Sequence, residues 1–221
     1  MHQIDVGSSI LAHNDALAMH NREHFIEEGV YVLNLMSGPG AGKTTILEQT
    51  VRALSGKYRI AVIEGDVQTS QDADRVAAAG APVIQINTGG ACHLDARQIH
   101  DNLHTFALDA LDLLIIENVG NLVCPAEFDL GEHDKVMVLS TTEGADKPSK
   151  YPVMFHEARA MLLNKIDLLP YLDFDTEKAL RDARALNLDL DIFQVSARTG
   201  AGMEGWYAWL EQRIAKVRAS R

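Results

Sequence analysis

Between residues 37 and 44 the chain reads Ser-Gly-Pro-Gly-Ala-Gly-Lys-Thr, directly after the apolar run Tyr31–Met36 and directly before a helix-prone stretch. Few local patterns restrict a fold so strongly. Gly38, Gly40 and Gly42 let successive backbone N–H groups turn inward around an anion, and the start of the following helix adds a favourable dipole. Lys43 is placed to reach terminal phosphates, and the Thr44 hydroxyl suits Mg²⁺, a hard cation that prefers oxygen ligands. Ser37 stands where the usual phosphate-loop pattern has Gly, but the three remaining glycines allow the loop to close. Strand, loop and helix in this order imply a P-loop nucleotide-binding fold.

The rest of the chain has the matching rhythm. Apolar, β-prone runs occur at Tyr31–Leu35, Arg59–Ile63, Val83–Ile86, Leu113–Ile116, Val136–Leu139, Met161–Leu163 and Ile192–Val195. Most are continuously apolar, as expected of strands covered on both faces. Helical stretches fall at 43–54, 70–79, 93–110, 175–186 and 203–217, and residues 8–28 read as a further helix, capped by Ser8 or Ser9 and stopped by Gly29. The expectation is an α/β, three-layer P-loop NTPase fold, with a mainly parallel seven-stranded sheet, helices on both faces and an N-terminal helix. Residues 1–29 form an N-terminal helical extension and residues 30–221 the P-loop domain.

A length of 221 residues fits this organisation. The net charge of −11 argues against a nucleic-acid-binding surface. It does not oppose a nucleotide, which backbone N–H groups and one Lys bind locally. No apolar run is long enough to span a bilayer, so no membrane insertion is expected. The N-terminus lacks the pattern of a secretory signal, which places the chain in the cytoplasm. Two cysteines, Cys92 and Cys124, are then expected as free thiols, ligands or core residues.

Two later motifs select the base. In Asn164-Lys165-Ile166-Asp167, after the strand Met161–Leu163, an Asp carboxylate can accept from both guanine N1–H and N2–H. Adenine offers no such donors, so a buried Asp167 rejects it. After the last strand, Ser196-Ala197-Arg198 supplies backbone N–H groups for guanine O6. GTP contacts are therefore expected from Gly38, Gly40, Ala41, Gly42, Lys43, Thr44, Thr45, Gly120, Asn164, Lys165, Asp167, Ser196, Ala197 and Arg198. Carboxylates at strand ends complete the site. Asp66 and Glu117 are expected to share catalysis with Lys43, and Thr44, Asp66, Asp72 and Glu117 to serve Mg²⁺. For Asp72 a helix cap or an exposed position explains the residue equally well. Gly120 sits where an N–H senses the γ-phosphate. No catalytic Gln or cis arginine finger is evident, so slow intrinsic hydrolysis of GTP is expected.

A second chemistry overlaps the first. Cys92 and His93 are adjacent at the expected start of the helix 93–110, and Cys124 lies four residues beyond Gly120. A helix N-terminus favours the Cys92 thiolate. Two thiolates and an imidazole suit Zn²⁺ or Ni²⁺ rather than Mg²⁺, although core thiols beside a capping residue account for the same letters. Three ligands are one short of a closed tetrahedral site, which water or a second copy of the chain can complete. His100 and His104 follow His93 along the expected helix, and His13, His20 and His24 repeat that spacing; solvated faces explain both sets, auxiliary ligation being the other reading.

Taken together, Ser37–Thr45, Ile63–Asp66 with Gln68-Thr69 and Asp72-Ala73, Thr88–Ala96, Ile116–Pro125, Thr142–Phe155, Leu162–Tyr171 and Val195–Gly202 resemble the HypB family, hydrogenase nickel-incorporation GTPases of the SIMIBI class. Glu117–Pro125 (ENVGNLVCP) and Gly90–Leu94 (GACHL) carry most of that resemblance. It implies a metallochaperone that delivers nickel to a hydrogenase large-subunit precursor with the help of nickel-transfer proteins. It also implies Cys92, His93 and Cys124 as ligands for Ni²⁺ or Zn²⁺, a GTP-promoted homodimer, and Lys150 as a contact to the partner's nucleotide; a solvated surface Lys is the other reading of Lys150. Met1–Ile10 contains no Cys and only His2, so the Cys-rich or His-rich N-terminal nickel motifs of some members are missing. Competing readings are a urease-type nickel GTPase, a small-molecule P-loop kinase, and a metal-binding scaffold whose GTP site is structural. The short path from Gly120 to Cys124 suggests that loss of the γ-phosphate moves Cys124 and opens the metal site.

Overall fold

A computed structural model describes residues 6–66 and 71–220, the first five of them by backbone alone. His2, Gln68, Thr69 and Arg221 lie outside the described residues. The strands are β1 Tyr31–Ser37, β2 Ile60–Asp66, β3 Val83–Asn87, β4 Leu113–Glu117, β5 Asp134–Ser140, β6 Ala160–Asn164 and β7 Asp191–Gln194. They form one parallel sheet in the order β3-β2-β4-β1-β5-β6-β7. Helices α1 Val6–Glu28, α2 Lys43–Leu54, α3 Gln71–Ala79, α4 Ala96–Leu103, α5 Cys124–Glu127, α6 Lys147–Lys150, α7 Pro152–Glu157, α8 Thr176–Leu186 and α9 Met203–Ala219 accompany it. The expected three-layer P-loop NTPase fold is thus the observed one.

Successive strand residues point to opposite faces, and both faces are dry. Tyr31, Leu33 and Leu35 of β1, Val62 of β2 and Leu113 and Ile115 of β4 pack with Ile46, Leu47 and Val51 of α2, Val76 of α3 and Trp206 and Leu210 of α9. The alternate set, including Val32, Ala61, Ile63, Leu114 and Ile116, packs with Phe25 of α1 and Ile99 and Leu103 of α4. Further along the same face Met137, Leu139, Met161 and Leu163 meet Ala126 of α5, Phe155 of α7 and Ala183 of α8. This double burial is why the strands read as unbroken apolar runs.

The N-terminal helix is docked by polar side chains as well as by Phe25. Asn21, fully buried, donates to the carbonyls of Ala96 (2.9 Å) and Leu130 (3.1 Å), and Arg22 pairs with Asp129 at 2.8 Å. Gly131 (φ +93°) allows the close approach, since a Cβ there would lie 2.7 Å from the Ala18 carbonyl.

Two expectations need correction. The N-terminal helix begins at Val6, so Ser8 and Ser9 lie inside it and are not its cap. The helix expected over 93–110 is shorter: α4 starts at Ala96, where Asp95 accepts from the Gln98 N–H and Gln98 reaches back to the Asp95 N–H. It ends at Leu103, and Leu108–Ala110 is a separate 3₁₀ turn. Gly89 and Gly90, both at positive φ, hold the preceding residues in a loop. Cys92 and His93 therefore sit before the helix, not at its N-terminus, and the dipole argument for a Cys92 thiolate no longer applies.

Candidate functional site

The carboxyl ends of β1, β2, β4 and β6 open on one edge of the sheet, and the strand order reverses around β1, the usual place for a ligand cleft in such sheets. From β1 the loop 38–42 turns into α2 with Gly40 at φ +72° and Gly42 at φ +102°. A Cβ at Gly42 would lie 2.5 Å from Asn164 Nδ2, so only Gly fits there. Lys43 is buried and its Nζ donates to Ser37 Oγ at 2.9 Å. Burial lowers its pKa, with Glu117 the main opposing influence. The Ser that departs from the usual loop pattern is thus the side chain that holds the lysine. Glu143 covers the same loop: its carboxylate occupies the space that a Cβ at Gly38 would take.

Asn164 ties the loop to the second motif, donating to the Ala41 carbonyl (2.9 Å) and accepting from the Ala197 N–H (3.1 Å). Lys165, in the left-handed region at φ 65°, donates from Nζ to the Gly40 carbonyl at 2.7 Å. Ser196 is fully buried and accepts at its carbonyl from Gly200 N, so it shapes the turn that presents Ala197 and Arg198. Gly42, Thr45, Asn164, Lys165, Asp167 and Arg198 line a cavity of about 280 Å³. Asp167 Oδ1 is buried there without a hydrogen-bond partner among the described residues. An unpaired buried carboxylate oxygen is unfavourable unless a ligand N–H completes it.

The carboxylates form a second orphaned group. Thr44 Oγ1 donates to Glu117 Oε1 at 2.8 Å, while Glu117 Oε2 is buried and unpartnered among the described residues, beside Lys43. Burial pushes Glu117 up to about 7. Glu64, on the neighbouring strand and paired in register with Glu117, is pushed up to about 8 by burial and then by the Glu117 charge. Its Oε2 is also unpartnered among the described residues. Glu64 was not singled out in the sequence; its place one strand over from Glu117 was the signal. Asp66 ends β2. Asp72 faces Arg75 at 2.8 Å, and Arg75 also donates to Thr45 Oγ1 (3.2 Å) and pairs with Glu48 (2.8 Å). The structure therefore brings an arginine to the first turns of α2, just after the phosphate loop.

Cys92, His93 and Cys124 converge. Their ligand atoms lie within 4.8 Å of one another, with the two Sγ atoms 3.0 Å apart and His93 Nδ1 3.6 Å from Cys92 Sγ. Both cysteines are free thiols. The Cys92 contact, then burial, raises the Cys124 pKa. Burial lowers that of His93, whose ring lies against Phe128 with centroids 3.8 Å apart. Neutral imidazole and paired sulfurs are a donor set for a borderline-soft divalent ion.

This triad is tied to the nucleotide side at three points. A Cβ on Gly120 would lie 3.1 Å from Pro39 Cα, so the segment leading to Cys124 rests on the phosphate loop. Asn118, next to Glu117, accepts from the Leu94 N–H at 3.0 Å. Leu94, next to His93, packs so closely on Gly65 that a Cβ there would meet it at 2.7 Å. Lys150, by contrast, is exposed and pairs with Asp146 at 2.5 Å. His93 lies off α4, which carries His100 and is followed directly by His104, and His13 is not among the residues lining the pocket of His20 and His24.

Comparison with known proteins identifies the family and the fold. Residues 31–194 match the family described as CobW/HypB/UreG, nucleotide-binding domain. The hydrogenase maturation factor HypB of Azotobacter chroococcum is 53% identical over 98% of this chain and 71% of its own length. That of Escherichia coli K12 is 54% identical over 96% of this chain and 73% of its own length. The crystal structure of HypB from Helicobacter pylori in complex with nickel superposes with a TM-score of 0.86 at 39% identity, covering 92% of this chain and 95% of that one. With residues 31–194 matching that nucleotide-binding family and relatives more than half identical over nearly all of its length, the chain belongs to the HypB family of hydrogenase maturation factors, within the CobW/HypB/UreG group.

Proposed function

We propose that this chain is a GTP-hydrolysing metallochaperone of the cytoplasm that hands on nickel during NiFe-hydrogenase maturation, with GTP controlling metal binding and dimerisation. The observation that carries the reading is the segment Glu117–Cys124. It begins at a carboxylate bonded to Thr44, rests on Pro39 at Gly120, and ends at a thiol 3.0 Å from Cys92.

In this reading the loop N–H groups from Gly38 to Thr45 and Lys43 hold the phosphates, and Gly120 contacts the γ-phosphate. Asn164, Lys165, Asp167 and Ser196–Arg198 hold guanine. The orphaned Glu117 Oε2 beside the Thr44 hydroxyl is the fit expected of a hard cation, so Thr44, Asp66 and Glu117 hold Mg²⁺, with Asp72 at the rim. Bound there, Mg²⁺ neutralises developing phosphate charge. Cys92, His93 and Cys124 take the cargo ion, Ni²⁺ or Zn²⁺, and a second copy of the chain or water completes the coordination. Lys150 reaches the partner's nucleotide. Nickel-transfer proteins upstream and the hydrogenase large-subunit precursor downstream are the partners implied. No described helix is long and apolar enough to cross a membrane.

Linkage makes the coupling measurable, because a metal that favours the GTP state must change the GTP-to-GDP affinity ratio by the same factor. Titrating a GTP analogue and GDP with and without Ni²⁺, with mass measurement in each state, is expected to give different ratios and a larger dimer fraction with the analogue. Equal ratios and an unchanged mass would sink the proposal.

Ligand replacement gives a separate prediction. Cys124→Ser is expected to weaken Ni²⁺ binding at the triad more than the roughly 10–100-fold that follows loss of an outer-shell partner. It should also weaken and shift the sulfur-to-nickel absorption band, since Cys92 is then the one sulfur left in the cluster, as followed by chelator competition and ultraviolet spectroscopy. An unchanged band would remove Cys124 from the site.

A further inference from the structure

Two histidine pairs, each separated by four positions, face one another across the seam between α1 and α4. His20 and His24 lie on α1, and His100 and His104 at the end of α4; with Asp101 and Leu103 they line a surface pocket of about 440 Å³. The His20 and His100 rings already meet, with centroids 5.2 Å apart. Spacing by four residues places both imidazoles of a pair on one side of a helix, one turn apart, as in helices that present two nitrogen ligands to one metal ion. His104 keeps that register because it follows α4 in helical conformation (φ −61°, ψ −13°).

The scaffold beneath the four rings is fixed before any ion arrives. Asn14 accepts from the Ala96 N–H at 2.9 Å, and Asn21 donates to the Ala96 and Leu130 carbonyls. Those two bonds engage the Asn21 amide nitrogen and turn its Oδ1 toward His100 Nδ1, 3.2 Å away. An amide oxygen only accepts, so His100 Nδ1 carries the proton and its Nε2 lone pair is left for a ligand. An outer-shell acceptor that sets the tautomer is the device that orients metal-bound imidazoles.

We propose that His20, His24, His100 and His104 form a second site for a divalent transition-metal ion, bridging α1 and α4 and separate from the Cys92–His93–Cys124 cluster. Its all-imidazole donor set selects the ions that favour nitrogen ligands, Ni²⁺, Cu²⁺ or Zn²⁺, over Mg²⁺ or Ca²⁺. The proposal stands whether or not the cysteine cluster carries cargo.

The test uses the full chain with Cys92→Ser and Cys124→Ser, titrated with Ni²⁺ alone and with Zn²⁺ alone at neutral pH. One equivalent is expected to remain, without sulfur-to-nickel absorption and with a raised melting temperature. Chelation across two helices makes the second pair of ligands intramolecular. Either His20→Ala with His24→Ala, or His100→Ala with His104→Ala, should therefore weaken binding by about 100-fold or more and cancel the thermal shift. The side chains of His20, His100 and His104 are exposed, so the metal-free melting temperature of each variant checks that the fold is retained. Three outcomes overturn the proposal: no bound ion in the cysteine-free chain, a residual ion indifferent to both pairs, or two weak ions each removed by one pair alone.

Discussion

Replacing Lys43 by Ala is expected to lower GTP turnover by roughly 10²–10³-fold or more, the effect of removing one preorganised charge from a site where phosphate charge develops. Lys43 is buried, anchored by Ser37, and is the strongest cationic influence lowering the Glu117 pKa. Its removal leaves no buried donor orphaned, because Ser37 Oγ also donates to the Gly38 carbonyl. The loss should therefore appear in phosphate release and in nucleotide affinity, with a melting temperature close to that of the parent chain. Lys43→Arg should not restore turnover, since a guanidinium is a planar fork and the pocket is shaped for a compact ammonium. Phosphate release within tenfold of the parent would show that Lys43 does not act on the transferred group.

The sequence order displayed the nucleotide half of this site far better than its coupling to the metal half. A phosphate loop is contiguous: strand, glycines, lysine and helix act together within fourteen residues, Tyr31–Thr44, so its chemistry can be read along the chain. The five inner strands are legible because double burial leaves unbroken apolar runs, while the edge strands β3 and β7 are only half-buried and read from their β-prone residues. The contacts that join the halves are not contiguous. Gly120 against Pro39, Asn118 to the Leu94 N–H, and Leu94 on Gly65 arise only when β1, β2 and β4 lie side by side. Arg75 reaches Thr45 from another helix, and Glu64 acquires its raised pKa only through burial beside Glu117. The expected helix 93–110 overruns α4 at both ends, because the Asp95–Gln98 capping pair starts it at Ala96 and the chain turns away after Leu103. The histidines of α1 and of the α4 end are spaced along the sequence like two solvated stripes; their shared pocket lies where Asn21 joins α1 to the Ala96 carbonyl of α4.

Asp167→Asn is expected to exchange the base preference from guanine to xanthine. Asp167 Oδ1 is buried without a partner among the described residues, in a cavity walled by Gly42, Asn164 and Ala197. A carboxylate there presents two acceptors, which match guanine N1–H and N2–H; hydrogen bonds to a charged group contribute about 1.5–3 kcal/mol each. The Asn amide keeps one acceptor for N1–H but sets an N–H₂ donor against the guanine N2–H₂, losing one bond and opposing two donors. GTP affinity should then fall by about 10–100-fold at least, from those same energies. Xanthine carries a carbonyl in place of the 2-amino group, so the same amide pairs with it, whereas the parent carboxylate faces an acceptor and repels it. Direct calorimetric titration of GTP and of XTP into the parent and the variant measures both changes. A variant that loses GTP without gaining XTP would mean that Asp167 shapes the pocket without reading the base, and retention of GTP affinity would place guanine recognition elsewhere.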